Sequence, residues 1–237
     1  MDEATQGVVY LSFGSNVKSS TLLPKFLSLI SKVLSDLPYL VLWKWEVDST
    51  SPHLGKSVVT RRWFPQQDIL AHPNIKVFVT QGGLQSIEEA ISRNVPMVGV
   101  PFIADQPTNV ERISELKIAE MIDWTTVTED QLRDAILKVA EEPEYRERIK
   151  KIRDILLDQP MTGLEKAVWW TEYVIRHKGA KHLRSILADT SLWEYLLLDV
   201  VAVVLASVTV TLYVLYKLIS ICRRKLKFSK KVKVKVT

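Results

Sequence analysis

The stretch Phe78-Val-Thr-Gln-Gly-Gly-Leu-Gln-Ser-Ile-Glu-Glu-Ala90 changes its pattern halfway along. Residues 76–80 form a short stretch rich in Val and Phe, which is typical of a buried strand. From Leu84 onward, apolar residues recur three, six and seven positions later, as on one face of a helix. The stretch therefore predicts a strand, a corner at Gly82-Gly83 and a helix, in that order.

Two interpretations of the Gly82-Gly83 corner are open at this point. A corner at a helix N-terminus leaves backbone N–H groups unpaired where the helix dipole favours negative charge, so a phosphate group can bind there. Alternatively, the glycines only permit a tight turn between strand and helix. A single glycine corner is too weak a signal to separate the two.

The rest of residues 1–189 predicts further strands and helices in alternation. That order is typical of an α/β fold with a doubly wound, Rossmann-like parallel sheet. The predicted strands are 8–13, 39–44, 57–62, 76–80 and 97–100. The predicted helices run from a cap at Ser20 or Thr21 to 36, over 84–93, from about 109, from a capping box at Thr128-Glu-Asp-Gln131 to 141, and over 143–157 and 163–187.

Four loops follow the predicted strands at their carboxyl ends. They are Gly14-Ser15, 63–66, 81–86 and 104–106. In doubly wound sheets the ligand binds beyond the carboxyl ends of the strands, so these loops are expected to converge on one crevice. That convergence favours the binding-site interpretation of the glycine corner.

The net charge of +5 belongs to the end of the chain. From Lys217 onward there are nine Lys or Arg residues and no acidic residue. Without those nine, 23 basic residues face 27 acidic ones, a formal charge of −4. The body therefore lacks the electrostatic footprint of a protein that binds DNA or RNA.

An uncharged apolar run, residues 200–216, precedes the basic tail. With its apolar flanks it reaches the roughly 20 residues that a membrane-spanning helix needs. Asp199 and Lys217 then fall near the two interfaces. A transmembrane helix over 192–221 is predicted, with a buried core helix or strand as the alternative. Four aromatic residues are placed like interfacial anchors: Trp193, Tyr195, Tyr213 and Tyr216.

The positive-inside rule orients the predicted span. It places the basic tail, 222–237, in the cytosol and the body on the other side of the membrane. Because no signal peptide is visible before the body, we expect the chain to be the C-terminal part of a longer precursor, a truncated gene product or a splice form. The single cysteine, Cys222, lies at the cytosolic edge, where it is either palmitoylated or unmodified. Lys233 and Lys235 have the spacing of a dilysine signal for the endoplasmic reticulum, although a lysine-rich tail matches that spacing by chance fairly often.

The segment Trp63-FPQQDILAHPNIKVFVTQGGLQSIEEAISRNVPMVGVPFIADQ-Pro107 closely resembles the signature of the UDP-glycosyltransferase family, membrane-anchored animal members in particular. The likeness extends from the Phe13-Gly-Ser15 loop to the lysine tail. It corresponds to the C-terminal, nucleotide-sugar-binding half of the family's two-domain GT-B fold. The resemblance implies a UDP-sugar-binding domain over 1–189, followed by the membrane helix and the tail.

The resemblance also implies roles for particular residues. Trp63 stacks on the uracil, unless it is a core tryptophan, and Gln66 bonds near the base. Glu89 accepts from the ribose hydroxyls, unless it is simply a solvated glutamate. The diphosphate is held by Ser15, Ser86, Gly82 and Gly83, and the sugar hydroxyls by Asp105 and Gln106.

The chain departs from the family pattern at two of these positions. Gln81 stands where the family commonly has His, and Gln85 where it commonly has Asn. A glutamine amide can donate to a phosphate oxygen but carries no positive charge, so some charge-assisted strength of donor binding is expected to be lost. His72 is expected to be structural rather than phosphate-binding.

The family reaction is the inverting transfer of a hexose from a UDP-sugar to a hydroxyl of a small lipophilic acceptor. The sugar is glucose or glucuronic acid, with glucose favoured by the Gln-Gly-Gly variant. The family's general base is a His paired with an Asp in its N-terminal half, and no convincing substitute is seen among His53, His177 and His182. The isolated chain is therefore expected to be inactive, and no metal or cofactor besides the UDP-sugar co-substrate is expected.

A second functional hypothesis belongs to a different class. The chain would be a non-catalytic, membrane-anchored protein that binds the nucleotide sugar or regulates full-length relatives. It would act as a homo- or hetero-oligomer with family members. The presence or absence, upstream of Met1, of a signal peptide and a domain with a His-Asp pair distinguishes the two hypotheses.

Overall fold

The computed structural model describes residues 1–46 and 54–234 and contains a six-stranded parallel sheet of order β3-β2-β1-β4-β5-β6. This order reverses between β1 and β4, as in doubly wound folds. The strands are β1 (Val8–Ser12), β2 (Leu40–Lys44), β3 (Val58–Arg61), β4 (Ile75–Thr80), β5 (Met97–Gly99) and β6 (Ala119–Met121).

Nine α-helices occur in the described residues. They are α1 (Pro24–Ser35), α2 (Gln66–Ala71), α3 (Leu84–Ser92), α4 (Gln106–Glu115), α5 (Glu129–Glu141), α6 (Pro143–Leu157), α7 (Gly163–Arg176), α8 (Leu192–Tyr195) and α9 (Leu198–Val234). Short 3₁₀ turns lie at Ser19–Thr21, Lys181–Leu183 and Ile186–Asp189.

The sheet separates two apolar cores. Alternate residues of β1 point to opposite faces, so Val9 and Leu11 pack with side chains of α1 and α5, whereas Val8 and Tyr10 pack with side chains of α3 and α6. All five residues of β1 are buried, as expected for a central parallel strand covered on both faces. The predicted doubly wound parallel sheet is confirmed.

Several element boundaries differ from the sequence predictions. Helix α4 begins at Gln106 rather than near Asn109, and α1 begins at Pro24, so the predicted caps Ser20 and Thr21 lie in a 3₁₀ turn instead. The predicted helix over 163–187 ends at Arg176, because the next turn contains three consecutive residues with positive φ, Lys178 to Ala180. Strand β6 and helix α2 were not predicted. The capping box at Thr128 is confirmed.

The chain forms two compact units, Met1–Pro160 and Met161–Thr237. The second unit contains α9, of which Leu198–Ile221 is long and apolar enough to be a candidate membrane span. The continuous helix starts at Leu198 rather than at the predicted residue 192, because Leu197 has φ 52° and separates it from the four-residue α8.

Some sequence predictions fall outside the described residues. His53 lies in the undescribed segment 47–53, and Lys235 lies beyond the described backbone. The side chains of Cys222 and Lys233 are likewise outside the described part.

Candidate functional site

A cleft of about 510 Å³ opens at the carboxyl edge of the sheet. It lies where β1 and β2 end and where the chain leaves β3, beside the point at which the strand order reverses. Its volume is in the range of small-molecule sites. Six of the predicted site residues line it: Ser15, Trp63, Gln66, Gln85, Ser86 and Glu89.

Glu89 is the centre of a hydrogen-bond network in the cleft. Helix α3 places Gln85 one turn before it, and the start of α2 places Gln66 and Gln67 opposite. The Gln66 amide donates to Glu89 Oε2 at 2.7 Å, while Gln67 and Gln85 donate to Oε1 at 3.1 and 3.4 Å. Gln66 also donates to the Ser86 hydroxyl at 3.1 Å. Three amides therefore orient one carboxylate. Because an ionised carboxylate is an acceptor only, a ligand would bind it through donors such as hydroxyl groups.

Trp63 presents an exposed aromatic face beside this network. Its side chain is 71% exposed, whereas that of Phe64, the next residue, is buried with its ring edge on Tyr10. Because Phe64 anchors the loop in the core, Trp63 is directed outward into the cleft wall. The alternative of a core tryptophan is therefore wrong, and the exposed indole can stack on a planar ring.

Sequence reasoning missed several residues that line the cleft, among them Gln67, Lys44 and Tyr10. Lys44, the last residue of β2, has a nearly buried side chain that borders the cleft. Tyr10 lies at the cleft floor, stacks on Phe78 and donates weakly to Gln66 Oε1 at 3.4 Å. Burial raises the pKa of the Tyr10 hydroxyl to about 12, so it is a neutral donor at physiological pH. The sequence signal that could have identified Lys44 and Tyr10 is the presence of a lysine and a tyrosine in strands that are otherwise apolar.

The Gly82-Gly83 corner fits the tight-turn interpretation, whereas phosphate binding at the corner stays a prediction. Gly82 has φ 87°, and a Cβ there would lie 2.2 Å from the side chain of Val110 in α4, so glycine is required for the tight turn. Gly83 is the N-cap of α3, with no side-chain cap and no acidic residue in the first turn. The corner itself does not line the cleft. The first turn of α3, which carries Ser86, does line it and remains available to an anion.

Three other predicted site residues lie away from the cleft lining. Gln81 is buried beneath Gly14, and its Oε1 has no hydrogen-bond partner among the described residues. Asp105 is exposed and accepts from the Asn109 amide at 2.8 Å. Gln106 is only 3% exposed, and its Oε1 accepts from the backbone N–H groups of residues 102 and 103 at 2.9 and 3.0 Å. This placement does not support the sugar-reading role predicted for Gln106, because its amide oxygen already holds the loop before α4.

The described histidines have local partners. His72 Nε2 lies 2.9 Å from Asp2 Oδ1, and its Nδ1 accepts from the backbone N–H of Asn74 at 3.1 Å. This arrangement supports the structural role expected for His72. His177 and His182 pack around Tyr173 in the second unit.

A protein-family model described as "UDP-glucoronosyl and UDP-glucosyl transferase" matches residues 2–234. The chain belongs to this family. It is 43% identical over 178 residues to the ecdysteroid UDP-glucosyltransferase of Mamestra brassicae nuclear polyhedrosis virus, covering 75% of this chain and 33% of the relative. It is 37% identical over 217 residues to human UDP-glucuronosyltransferase 2B7, covering 91% of this chain and 40% of the relative.

Solved structures show the same fold. The glycotransferase of kitacinnamycin matches with a TM-score of 0.57 and 34% identity, over 62% of this chain and 38% of that protein. UDP-glucose: anthocyanidin 3-O-glucosyltransferase, solved in complex with UDP, matches with a TM-score of 0.60 and 22% identity, over 68% and 38% of the two chains. This chain thus spans 33 to 40% of the length of these proteins and has the sheet architecture of one half of the GT-B fold.

Proposed function

We propose that the cleft binds the UDP moiety of a UDP-sugar and that this chain supplies the donor half of a UDP-glycosyltransferase. The observation that carries the proposal is the Glu89 carboxylate, held by the Gln66, Gln67 and Gln85 amides beside the exposed ring of Trp63. A fixed carboxylate suits a vicinal diol, and an exposed indole suits a planar base. A nucleoside carries a vicinal diol on its ribose and a planar base next to it.

Each part of the nucleotide is assigned to a part of the cleft. Trp63 stacks on the uracil, with the Gln66 amide close to the base, and Glu89 accepts from the ribose hydroxyls. The diphosphate lies against Ser15 and the first turn of α3 with Ser86, where backbone N–H groups and the helix dipole favour anions. Exposed Asp105 contacts the sugar hydroxyls. Neutral Gln81, buried beneath the loop that carries Ser15, contributes no charge to this site.

We further propose that the reaction is inverting transfer of a hexose to a hydroxyl of a lipophilic acceptor. Glucose is favoured, because relatives named as UDP-glucosyltransferases carry the higher of the identities given above. The proposal requires no metal or cofactor besides the UDP-sugar. The protein is assigned to the endoplasmic reticulum membrane, with α9 as its anchor, the body luminal and the basic tail cytosolic.

Calorimetric titration of the full chain in detergent with UDP tests donor binding. The wild type is expected to bind, and the Trp63→Ala/Glu89→Ala variant is expected to lose binding, because both the base platform and the ribose acceptor are removed. Circular dichroism controls for the fold, since both side chains border solvent. Equal UDP affinity of the variant and the wild type would refute the site.

Transfer assays test the division of labour between the two halves. General-base assistance is typically worth about 10²- to 10⁴-fold, and the described histidines have structural partners or lie in the second unit. The chain alone is therefore expected to transfer no sugar to phenolic or steroid-like acceptors. Fusion of a family N-terminal domain before Gly7 is expected to give turnover. Measurable transfer by the chain alone would contradict this and direct attention to His53, His72 or a partner chain.

A further inference from the structure

Lys44 places a cation at the cleft in an unusual setting. Its side chain is 8% exposed and follows the buried residue Trp43 at the end of β2. A lysine is seldom buried unless its ammonium group is paired. Here the Nζ donates to the Gly14 carbonyl at 2.8 Å and to Glu46 Oε1 at 3.2 Å, and it lies 5.8 Å from the centre of the Trp63 ring.

The backbone around Lys44 is also fixed. The Ser19 hydroxyl donates to the Lys44 carbonyl at 3.1 Å and accepts from the Trp43 indole N–H at 3.1 Å. Glu46 Oε2 in turn accepts from the backbone N–H of Ser20 at 3.5 Å. The backbone carbonyl of Lys44 and the carboxylate of its counter-ion Glu46 are thus both anchored by hydrogen bonds, which fixes where the ammonium meets the groups that face the cleft.

The two cleft-facing partners of Lys44 belong to opposite parts of the proposed donor site. Gly14, with φ 67°, leads into Ser15 on the phosphate side, and Trp63 is the platform on the base side. Among the described residues that line the cleft, Lys44 is the one Lys or Arg, and the acidic residues in the lining are Asp68 and Glu89. A cation against an indole ring is attracted by the ring quadrupole, more strongly where water is excluded.

We propose that Lys44 is a positioning residue for UDP-sugar binding, an inference that rests on the proposed function. Its ammonium holds the Gly14 carbonyl and the Trp63 ring at the same time, and so aligns the two walls of the cleft before the nucleotide arrives. Because these groups are already ordered in the free protein, little conformational entropy is lost in ordering them on binding, and the affinity is higher. Because the alignment includes the base platform, Lys44 contributes to the affinity for uridine as well as for UDP.

The test compares three variants of the full chain in detergent by calorimetry with uridine and with UDP. Lys44→Met/Glu46→Gln removes the ammonium without leaving an unpaired carboxylate in a poorly solvated place. Glu46→Gln is the matched control, which keeps the contacts of the ammonium to Gly14 and Trp63. Lys44→Arg keeps a positive charge at this position and can still stack on Trp63.

The double variant is expected to bind uridine and UDP about 10- to 100-fold more weakly, which is the range for loss of a charged hydrogen bond and a cation–π contact. Glu46→Gln is expected to stay within about threefold of the wild type, and Lys44→Arg within about tenfold. A spectroscopic readout needs no ligand. With 5-fluorotryptophan incorporated, the ¹⁹F resonance assigned by its loss in Trp63→Phe is expected to shift in the double variant and not in Glu46→Gln.

The outcomes separate the two proposals. The positioning role alone would be overturned if the wild type binds both compounds, the double variant binds them with the same affinities as the wild type, and the Trp63 resonance is unchanged. A double variant that loses affinity for UDP but not for uridine would also overturn it, since the ammonium would then act on the diphosphate directly. A wild-type chain that binds neither compound would overturn the proposed function, and the positioning role with it.

Discussion

Replacing Glu89 with glutamine removes one negative charge from the cleft and keeps the shape of the side chain. In the structure Oε2 accepts from Gln66, and Oε1 accepts from Gln67 and Gln85. Whichever oxygen becomes an amide nitrogen, at least one pair of donors is brought face to face. The substitution therefore both weakens the acceptor and disturbs the amides that orient it.

The magnitude follows from the two ribose hydroxyls assigned to this carboxylate. A hydrogen bond to a charged group contributes about 1.5 to 3 kcal/mol, against about 0.5 to 1.5 kcal/mol for a neutral pair. Losing the charge for two hydroxyls should cost about 2 to 3 kcal/mol, which corresponds to a UDP affinity roughly 30- to 150-fold lower.

Calorimetry with UDP and with 2′-deoxy-UDP measures this effect. Glu88→Gln is the matched control, since Glu88 carries the same charge on the same helix, is exposed and does not line the cleft. The control is expected to change the UDP affinity by less than about threefold. The loss of affinity caused by Glu89→Gln should be smaller for 2′-deoxy-UDP than for UDP, because 2′-deoxy-UDP has one ribose hydroxyl fewer. Equal effects of the two substitutions, or an equal penalty for both nucleotides, would refute the ribose assignment.

Gly82→Ala is expected to cost about 2 to 5 kcal/mol and to lower the thermal midpoint followed by circular dichroism, because φ is 87° and the added Cβ overlaps an α4 side chain. Gly83→Ala, at φ −65°, should cost less than about 1 kcal/mol, and similar midpoints for both would contradict the turn geometry. Burial raises the pKa of Tyr10 to about 12, so its contribution of up to about 3 kcal/mol is present below pH 10 and is lost as the pH rises towards 12. Tyr10→Phe should therefore flatten the fall of the thermal midpoint over that pH range, and an unchanged slope would count against the buried phenol. Serine at positions 233 and 235 should let an inserted chain leave the endoplasmic reticulum, and unchanged reticular imaging would rule out the dilysine signal.

The long elements of the fold were predictable because their apolar periodicity extends over many residues. Strand β6 was missed because Glu120 interrupts its three residues, whereas β5, equally short, contains no charged residue. Helix α2, with six residues, is too short for a helical period to be recognised. The end of α7 depends on positive φ angles at Lys178 and Ala180, which apolar spacing does not reveal. The sequence after Arg176 continues the spacing of an amphipathic helix, but the backbone there is not helical.

The candidate site was predictable where residues lie in loops after strands or in the first two turns of a helix, as for Trp63 and Glu89. Lys44 was missed because its role depends on the pleat of β2 and on a carbonyl from another strand's loop. The prediction for Gln106 was not supported, because its side chain turns inward to the backbone of its own loop. Such choices are set by tertiary hydrogen bonds and not by residue type.

Photolabelling of the full chain with 5-azido-UDP-glucose tests whether the nucleotide base lies against Trp63, because the reactive group is on the base. Trypsin releases Trp63 in the peptide 63–76 and Glu89 in the peptide 77–93. We expect the label on peptide 63–76, and we expect excess UDP, but not ADP, to prevent labelling. Label confined to a peptide outside the cleft, or label that UDP does not displace, would contradict it.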